Sequence, residues 1–504
     1  LIAAQSGDST QRPAGETMSA LQPYTGVYRL DGDHKLAARA VHRAAARRPR
    51  STLHTLAGPR VPEGWPFPHR GPDEGVLKKG IRMIANKPNR RTFLETVGAA
   101  AALTLARDAK AQSGLELVTG ITKTRYDVVV IGAGCFGAWT AWHLRKAGRS
   151  VLLLDRYGPA NARSSSGGES RIIRMSYGPD EVYTHFSNRS LGQWKAFFAA
   201  VGRPELFQGT GVLWMAKGED PSATASLRTL AKVGIPHERL EENELRTRYP
   251  QIQTVSGGWA IWEPESGVLL ARRAVQAVVA DAVRAGVDYS AADVRPPAGK
   301  TRLEEIKTAS GQAVRADHFV FACGPWLGKV VPEALEGRIF PTRQQVIFFG
   351  VPAGDSRFAP PAMPTWIDFD GNFYGMPDLE TRGFKVAADA HGPAFDPDGG
   401  ERVVTLEASR EARAFLARRF PGLKAAPIVE TRVCQYENTS NGDFVIDRHP
   451  GLENVWVAGG GSGHGFKHGP AVGEYTAERV LKGGAGEPRF SLATKGKVQK
   501  RVVQ

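Results

Sequence analysis

Gly132-Ala133-Gly134-Cys135-Phe136-Gly137 has the G-x-G-x-x-G spacing, set between an apolar run at 128–131 and a helical stretch at 138–146. Its chemistry is phosphate binding. Gly132 permits a tight turn, Gly134 lets a pyrophosphate reach the backbone at a helix N-terminus, and Gly137 lets that helix close on the strand. A second apolar run, 151–154, ends in Asp155, eighteen residues after Gly137, where a carboxylate can accept hydrogen bonds from a ribose diol. A glycine-rich turn alone says little, but strand, turn, helix, second strand and terminal acid in register mark a dinucleotide site. FAD and NAD share that fingerprint. The next segment, GESRIIRMSYG at 168–178, places Arg171 and Arg174 around two isoleucines that imply burial, and dinucleotide binding alone does not require it.

This segment resembles the arginine loop of the amine-oxidising flavoproteins of the D-amino-acid oxidase superfamily, most closely the monomeric sarcosine oxidase and N-methyltryptophan oxidase group. Three later stretches carry the same likeness: 375–385 with the preceding Tyr374, Arg432-Val433-Cys434-Gln435-Tyr436, and Gly461-Ser462-Gly463-His464-Gly465-Phe466-Lys467. The resemblance runs from about residue 126 to about 481. It implies FAD as cofactor and an α/β fold, with an FAD-binding Rossmann-like domain of the glutathione-reductase type and a second, mixed or antiparallel-sheet substrate domain.

Roles follow from the same resemblance. Arg174 and Lys467 match the pair that holds a substrate carboxylate, a task for which the bidentate fork of arginine is suited. Arg171 matches an arginine against the flavin ring. Lys385 matches the lysine near flavin N5, where positive charge stabilises reducing oxygen. Cys434 matches a cysteine joined to the flavin by a thioether, and Tyr374 and Tyr436 match pocket tyrosines. Gly461, Gly463, His464 and Gly465 form a turn facing the flavin, with Lys467 also beside the reduced ring. Each has a plainer use: a surface ion pair for Arg174, an exposed strand lysine for Lys385, a small buried apolar residue for Cys434, packing for the tyrosines, a satisfied structural histidine for His464. Cys135 and Cys323 are expected as buried thiols. Ser166 and Gly167 replace paired histidines of the family loop, and Asp389 stands at the offset of a pocket histidine, with His391 nearby; these departures weigh against sarcosine itself. No metal-ligand constellation and no nucleophilic triad is visible.

The implied activity is oxidation of secondary amino acids, N-methyl or cyclic, by hydride transfer to flavin, giving an imine and hydrogen peroxide. Its partners would be a small amino acid and oxygen, with a monomer favoured. The alternatives are a dehydrogenase that passes electrons to a quinone or protein acceptor, and a flavin-binding protein without turnover.

The elements that must position these groups alternate between two domains. Segments 124–208, 269–338 and 430–490 are expected to build the FAD-binding domain, and 209–268 and 339–429 the substrate domain, with a tail at 491–504. Helices are expected over 183–201 and 270–285, aromatic strands near 206–216 and 256–270, and a buried strand at 318–324.

Composition agrees. At 504 residues, 41% apolar with ten tryptophans, the chain suits a globular protein of more than one core. No run reaches the roughly 18 apolar residues of a membrane helix. The net charge of +15 could suggest nucleic acid, but about nine of those charges precede Gln112, so nucleic acid is not an expected partner. Within residues 83–111, Arg90-Arg91, an apolar core at 97–106 and Ala109-Lys110-Ala111 form a twin-arginine export pattern, which implies a periplasmic or exported protein, or a cytoplasmic one if the signal is silent. Residues 1–82 lack apolar periodicity and read as a disordered or non-native leader.

Overall fold

Val128 and Val130 of strand Arg125–Ile131 feed one hydrophobic core while Val129 and Ile131 feed another, so the strand is buried on both faces. Such a strand belongs inside a parallel sheet covered on two sides. The computed structural model describes residues 118–500, and in it this strand lies between Ala313–Phe321 and Val151–Asp155, parallel to both. Leu452–Gly459 and Asp288–Ala291 extend the parallel set, Val445–His449 closes one edge antiparallel, and Glu305–Lys307 pairs antiparallel with Ala313–Phe321 to make seven strands. The leader expected at 1–82 and the signal expected at 83–111 lie outside the described residues.

Helix Cys135–Lys146 returns the chain over one face and packs against Ala271–Arg284 and Gly469–Lys482. The last contact is close: a Cβ at Gly473 would stand 2.5 Å from the Cβ of Trp139. The helices expected over 183–201 and 270–285 span Glu181–Ala200 and Ala271–Arg284, and the strand expected at 318–324 is Ala313–Phe321.

A second sheet of eight strands runs in the order Ile428–Asn438, Phe340–Phe349, Phe384–Ala388, Phe373–Met376, Thr365–Asp368, Val212–Lys217, Gly258–Glu263, Glu238–Glu241. Its neighbours are antiparallel except Thr365–Asp368 with Val212–Lys217. Trp366 and Phe384 pack with Phe415 and Phe420, at and just beyond helix Leu406–Arg419. Strand Ile428–Asn438 differs from expectation. The stretch from 430 was expected in the FAD-binding domain, but this strand pairs along its length with Phe340–Phe349, placing Cys434 opposite Gln344. An antiparallel partner of matching length is available there without the long crossover that a parallel position demands. A third, three-stranded sheet pairs Arg171–Ile173 with Gly267–Leu269, and Gly267–Leu269 with Phe207–Gln208.

Candidate active site

The glycine turn opens onto a cleft of about 1210 Å³ of non-protein space, lined at this end by Gly132, Gly134 and Asp155. Gly132 has φ +110°, and a Cβ there would lie 2.3 Å from the carbonyl oxygen of Ala322; a Cβ at Gly137 would lie 1.8 Å from that of Gly132. Helix Cys135–Lys146 begins at Gly134, which has no side chain to cap it, and without an acid in its first turn, although Cys135 N donates to Ser166 Oγ at 3.0 Å. A helix start so exposed to a cavity suits an anion. Asp155 accepts from Ala133 N through Oδ2, and from Tyr157 N and Gly158 N through Oδ1, all at 2.8 Å. Burial raises its pKa against the lowering effect of those bonds. Asp155, expected to accept from a ribose diol, here braces the glycine turn and the loop after its own strand, with about one lone pair left for a hydroxyl.

The other end of the cleft meets a second cavity, and the two share Arg171, Cys434, Tyr436, Gly463 and Phe466. Arg171 donates to the carbonyls of Ser170 and Ser165 at 2.8 and 2.7 Å and to Cys434 Sγ at 3.1 Å. Gly463, at φ +81°, lies under the Tyr436 ring, which a Cβ would approach to 2.7 Å. Burial is the main cause of the raised pKa of both Tyr374 and Tyr436, so both phenols keep their protons at neutral pH.

The second cavity also holds Arg174, Tyr374, Asp389, His464 and Lys467. Arg174 donates to the Ser176 carbonyl, and its guanidinium lies 4.4 Å from both the Tyr177 and the Trp214 ring centroids. Lys467 Nζ donates to the His464 carbonyl at 3.1 Å and stands 5.0 Å from the same Tyr177 ring. Two cations of this cavity thus meet one aromatic ring, which itself lines an adjoining hollow with Arg174 and Trp214. Tyr177 is braced in turn: its hydroxyl meets His464 Nδ1 at 3.1 Å and His468 Nε2 at 2.7 Å, while His464 Nε2 faces the Gly442 carbonyl at 3.0 Å. A carbonyl only accepts, so His464 Nε2 carries the proton and Nδ1 takes one from Tyr177. Burial, then the charges of Lys467 and Arg174, hold His468 far below an ordinary histidine, hence neutral.

Lys385 lines neither cavity. It borders a small adjacent hollow with Met376, and its Nζ donates to the Ser170 carbonyl at 3.1 Å, one layer behind Arg171 and 6.0 Å from the Tyr374 ring centroid. Burial, then the charge of Arg171, push its pKa well below the ordinary lysine value. Among the described residues, no cluster of His, Cys, Asp and Glu is arranged to hold a metal, and no helix is long and apolar enough to cross a membrane.

The model of the FAD dependent oxidoreductase family known as DAO matches residues 127–479. The chain belongs to this family. Peroxisomal sarcosine oxidase of Mus musculus is 30% identical over 368 residues, covering 71% of this chain and 92% of that protein. Monomeric sarcosine oxidase of Bacillus sp. (strain NS-129) is 32% identical over 370 residues, covering 71% and 94%. N-methyl-L-tryptophan oxidase of Salmonella newport is 28% identical, covering 71% and 95%. Among solved structures, L-proline dehydrogenase from P. horikoshii superposes with a TM-score of 0.65 at 23% identity, covering 73% of this chain and 97% of that one, which shows the common fold.

This FAD-dependent oxidoreductase acts on the CH–NH group of its donors, and its residues fit the cofactor. The helix start and glycine turn suit the pyrophosphate, and the long cleft ending at Arg171, Cys434 and Gly463 suits the flavin ring. Sequence reasoning passed over four site residues. Tyr177 lay within the quoted loop, and Trp214 and Glu263 within strands noted only as aromatic. His468 directly follows the last motif.

Proposed function

We propose that this chain is an oxidase of secondary amino acids with N-methyl, larger N-alkyl or cyclic nitrogen. The observation that carries the reading is that Arg174 and Lys467 both line the second cavity, which joins the ring end of the cleft, and both lie against the Tyr177 ring. Arg174 offers a carboxylate a bidentate fork and Lys467 a point charge, which together orient the amine carbon toward the ring end of the cleft. FAD held there would supply acceptance of a hydride from that carbon and delivery of its two electrons to oxygen, which leaves as hydrogen peroxide. Tyr374 and Tyr436, kept protonated by burial, wall the pocket and are not bases at neutral pH. Lys385, its pKa pushed well below the ordinary lysine value by burial and by Arg171, gives up its Nζ proton more readily than an exposed lysine and lies one residue contact from Arg171 through the Ser170 carbonyl, where it would act on oxygen. Asp389 in the pocket, where the resembling group has a histidine, favours a substrate with a polar or cationic nitrogen substituent over sarcosine.

The test is anaerobic mixing of the flavoprotein with sarcosine, N-methyl amino acids, pipecolate, proline and glycated amino acids, followed by air. Bleaching by one compound and rapid recovery in air are expected; bleaching with slow recovery would favour a dehydrogenase with another acceptor. Arg174→Met should raise KM about 100-fold or more, and an unchanged KM would remove it from the clamp. The thioether at Cys434 belongs to the same proposal, tested by whether flavin stays with acid-precipitated protein and is released by Cys434→Ser. So does export, tested by whether Arg90→Lys with Arg91→Lys keeps the protein in the cytoplasm.

A further inference from the structure

We propose that Glu437 is a cofactor-binding residue whose carboxylate accepts hydrogen bonds from hydroxyl groups on the chain linking the flavin ring to the pyrophosphate. Glu437 sits three residues beyond Cys434 on strand Ile428–Asn438 and lines the cofactor cleft. Its Oε1 accepts from Gly461 N at 3.3 Å, while Oε2 is sealed from solvent and meets no donor among the described residues. Among the described residues no cation forms an ion pair with it. Burial pushes the carboxyl up to about 7, opposed only by the Gly461 N–H, and the titratable group that registers its charge is the buried thiol of Cys323.

An acceptor left unmet in a buried wall weakens the protein that carries it, unless a ligand supplies the donor. Glu437 lines the cleft, so a turn of its carboxylate presents this oxygen to a ligand there. Gly324 and Gly459 flank Oε2, and a Cβ at those positions would stand 3.1 and 3.7 Å from it. The donor must be neutral or cationic, because a phosphate oxygen would be repelled. Along the cleft, Glu437 falls between the glycine turn with Asp155, which suits pyrophosphate and ribose, and the Arg171–Cys434 end, which suits the ring. In FAD the part between those two is a run of hydroxyls. Of the cleft's other acids, Asp155 already accepts three backbone N–H groups and Asp293 faces Arg156.

The test is titration of FAD, and separately of ADP, into flavin-free full-length protein at pH 8. A Cys434→Ser background keeps binding reversible. ADP carries the adenosine and pyrophosphate but not the hydroxyl-bearing link. Glu437→Leu should weaken FAD about 10- to 100-fold and Glu437→Gln less, with ADP within about twofold of the unsubstituted protein. Unchanged FAD affinity in both variants, or parallel losses for FAD and ADP, would overturn the proposal, the latter by making Glu437 a structural residue only. If Glu437→Leu does not fold, the near-isosteric Glu437→Gln decides alone, with at least about a threefold loss for FAD expected and none for ADP.

Discussion

Lys385 is buried and Glu437 half-buried with one carboxylate oxygen sealed, both are held against their own charge, and they bend stability in opposite directions with pH. Lys385 is 3% exposed and its folded pKa is depressed, so the unfolded chain takes up a proton that the folded chain resists, and stability is lost as pH falls below the ordinary lysine range. At neutral pH that loss is already in force. Lys385→Met should therefore stabilise the protein by on the order of 1 kcal/mol or more while slowing reoxidation of reduced flavin by ~10²-fold. Calorimetry and stopped-flow absorbance read the two effects separately, and a wild-type reoxidation rate in the variant would end the oxygen role. For Glu437 the folded pKa rises from 4.5 to about 7 through burial, so its contribution to the flavin-free protein is full below 4.5 and lost as pH climbs through about 7. Glu437→Gln, which cannot ionise, should match the flavin-free wild type at pH 4.5 and exceed it at pH 8 by roughly 1 to 3 kcal/mol, read from urea unfolding at both values. Equal gaps at the two pH values would show that the carboxyl does not titrate in that range.

The segment that carries Arg174 owes its shape to a neighbour from another sheet. Glu263, 1% exposed at the end of strand Gly258–Glu263, accepts from Met175 N, Ser176 N and Ser176 Oγ at 2.8, 3.0 and 2.5 Å, and from Trp214 Nε1 and Ser266 Oγ at 2.9 and 2.6 Å. One carboxylate thus fixes the backbone just after Arg174 and the Trp214 ring against which its guanidinium lies. Glu263→Gln offers one acceptor oxygen and turns two amide hydrogens toward donors, so several bonds fail together. The expected result is a KM for the carboxylate substrate raised about 10-fold with a smaller change in kcat, and a loss of roughly 2 kcal/mol in stability. A lower stability with KM unchanged would leave Glu263 a structural brace only. This contact also shows where sequence legibility ends. The glycine turn, Asp155 and the parallel strands were legible because their spacing is fixed within a short stretch of chain, and the arginine loop because its motif is contiguous. Glu263 reaches Ser176 across 87 residues and Tyr177 reaches His468 across 291, and no local periodicity encodes such pairings. The placement of Cys434 and Tyr436 in the eight-stranded sheet was missed for the same reason, since pairing with Phe340–Phe349 is a non-local choice.

At the scale of the whole molecule, the cofactor cleft is where the three sheets meet. Asp155 ends a strand of the parallel sheet, Arg171 begins a strand of the three-stranded sheet, and Cys434, Tyr436 and Glu437 come from the edge strand of the eight-stranded sheet. A ligand that fills such a cleft touches every sheet at once and binds only when all are folded, so its binding energy becomes shared stability. On a Cys434→Ser background, free FAD at about 100 times its Kd should add about 2.7 kcal/mol, a rise of roughly 3 °C in Tm for a protein of this size. The pattern of melting says more than its midpoint. Each sheet has a core of its own on one face, but a third core joins Val128, Val130 and Leu153 of the parallel sheet to Val212, Trp214 and Ile261 of the eight-stranded sheet. Calorimetry should therefore show one cooperative transition without flavin, and added FAD should move it upward as a whole. If FAD split the transition and left one step in place, the cofactor would be held by one sheet, and the contacts assigned to Cys434, Tyr436 and Glu437 from the eight-stranded sheet would have to be withdrawn.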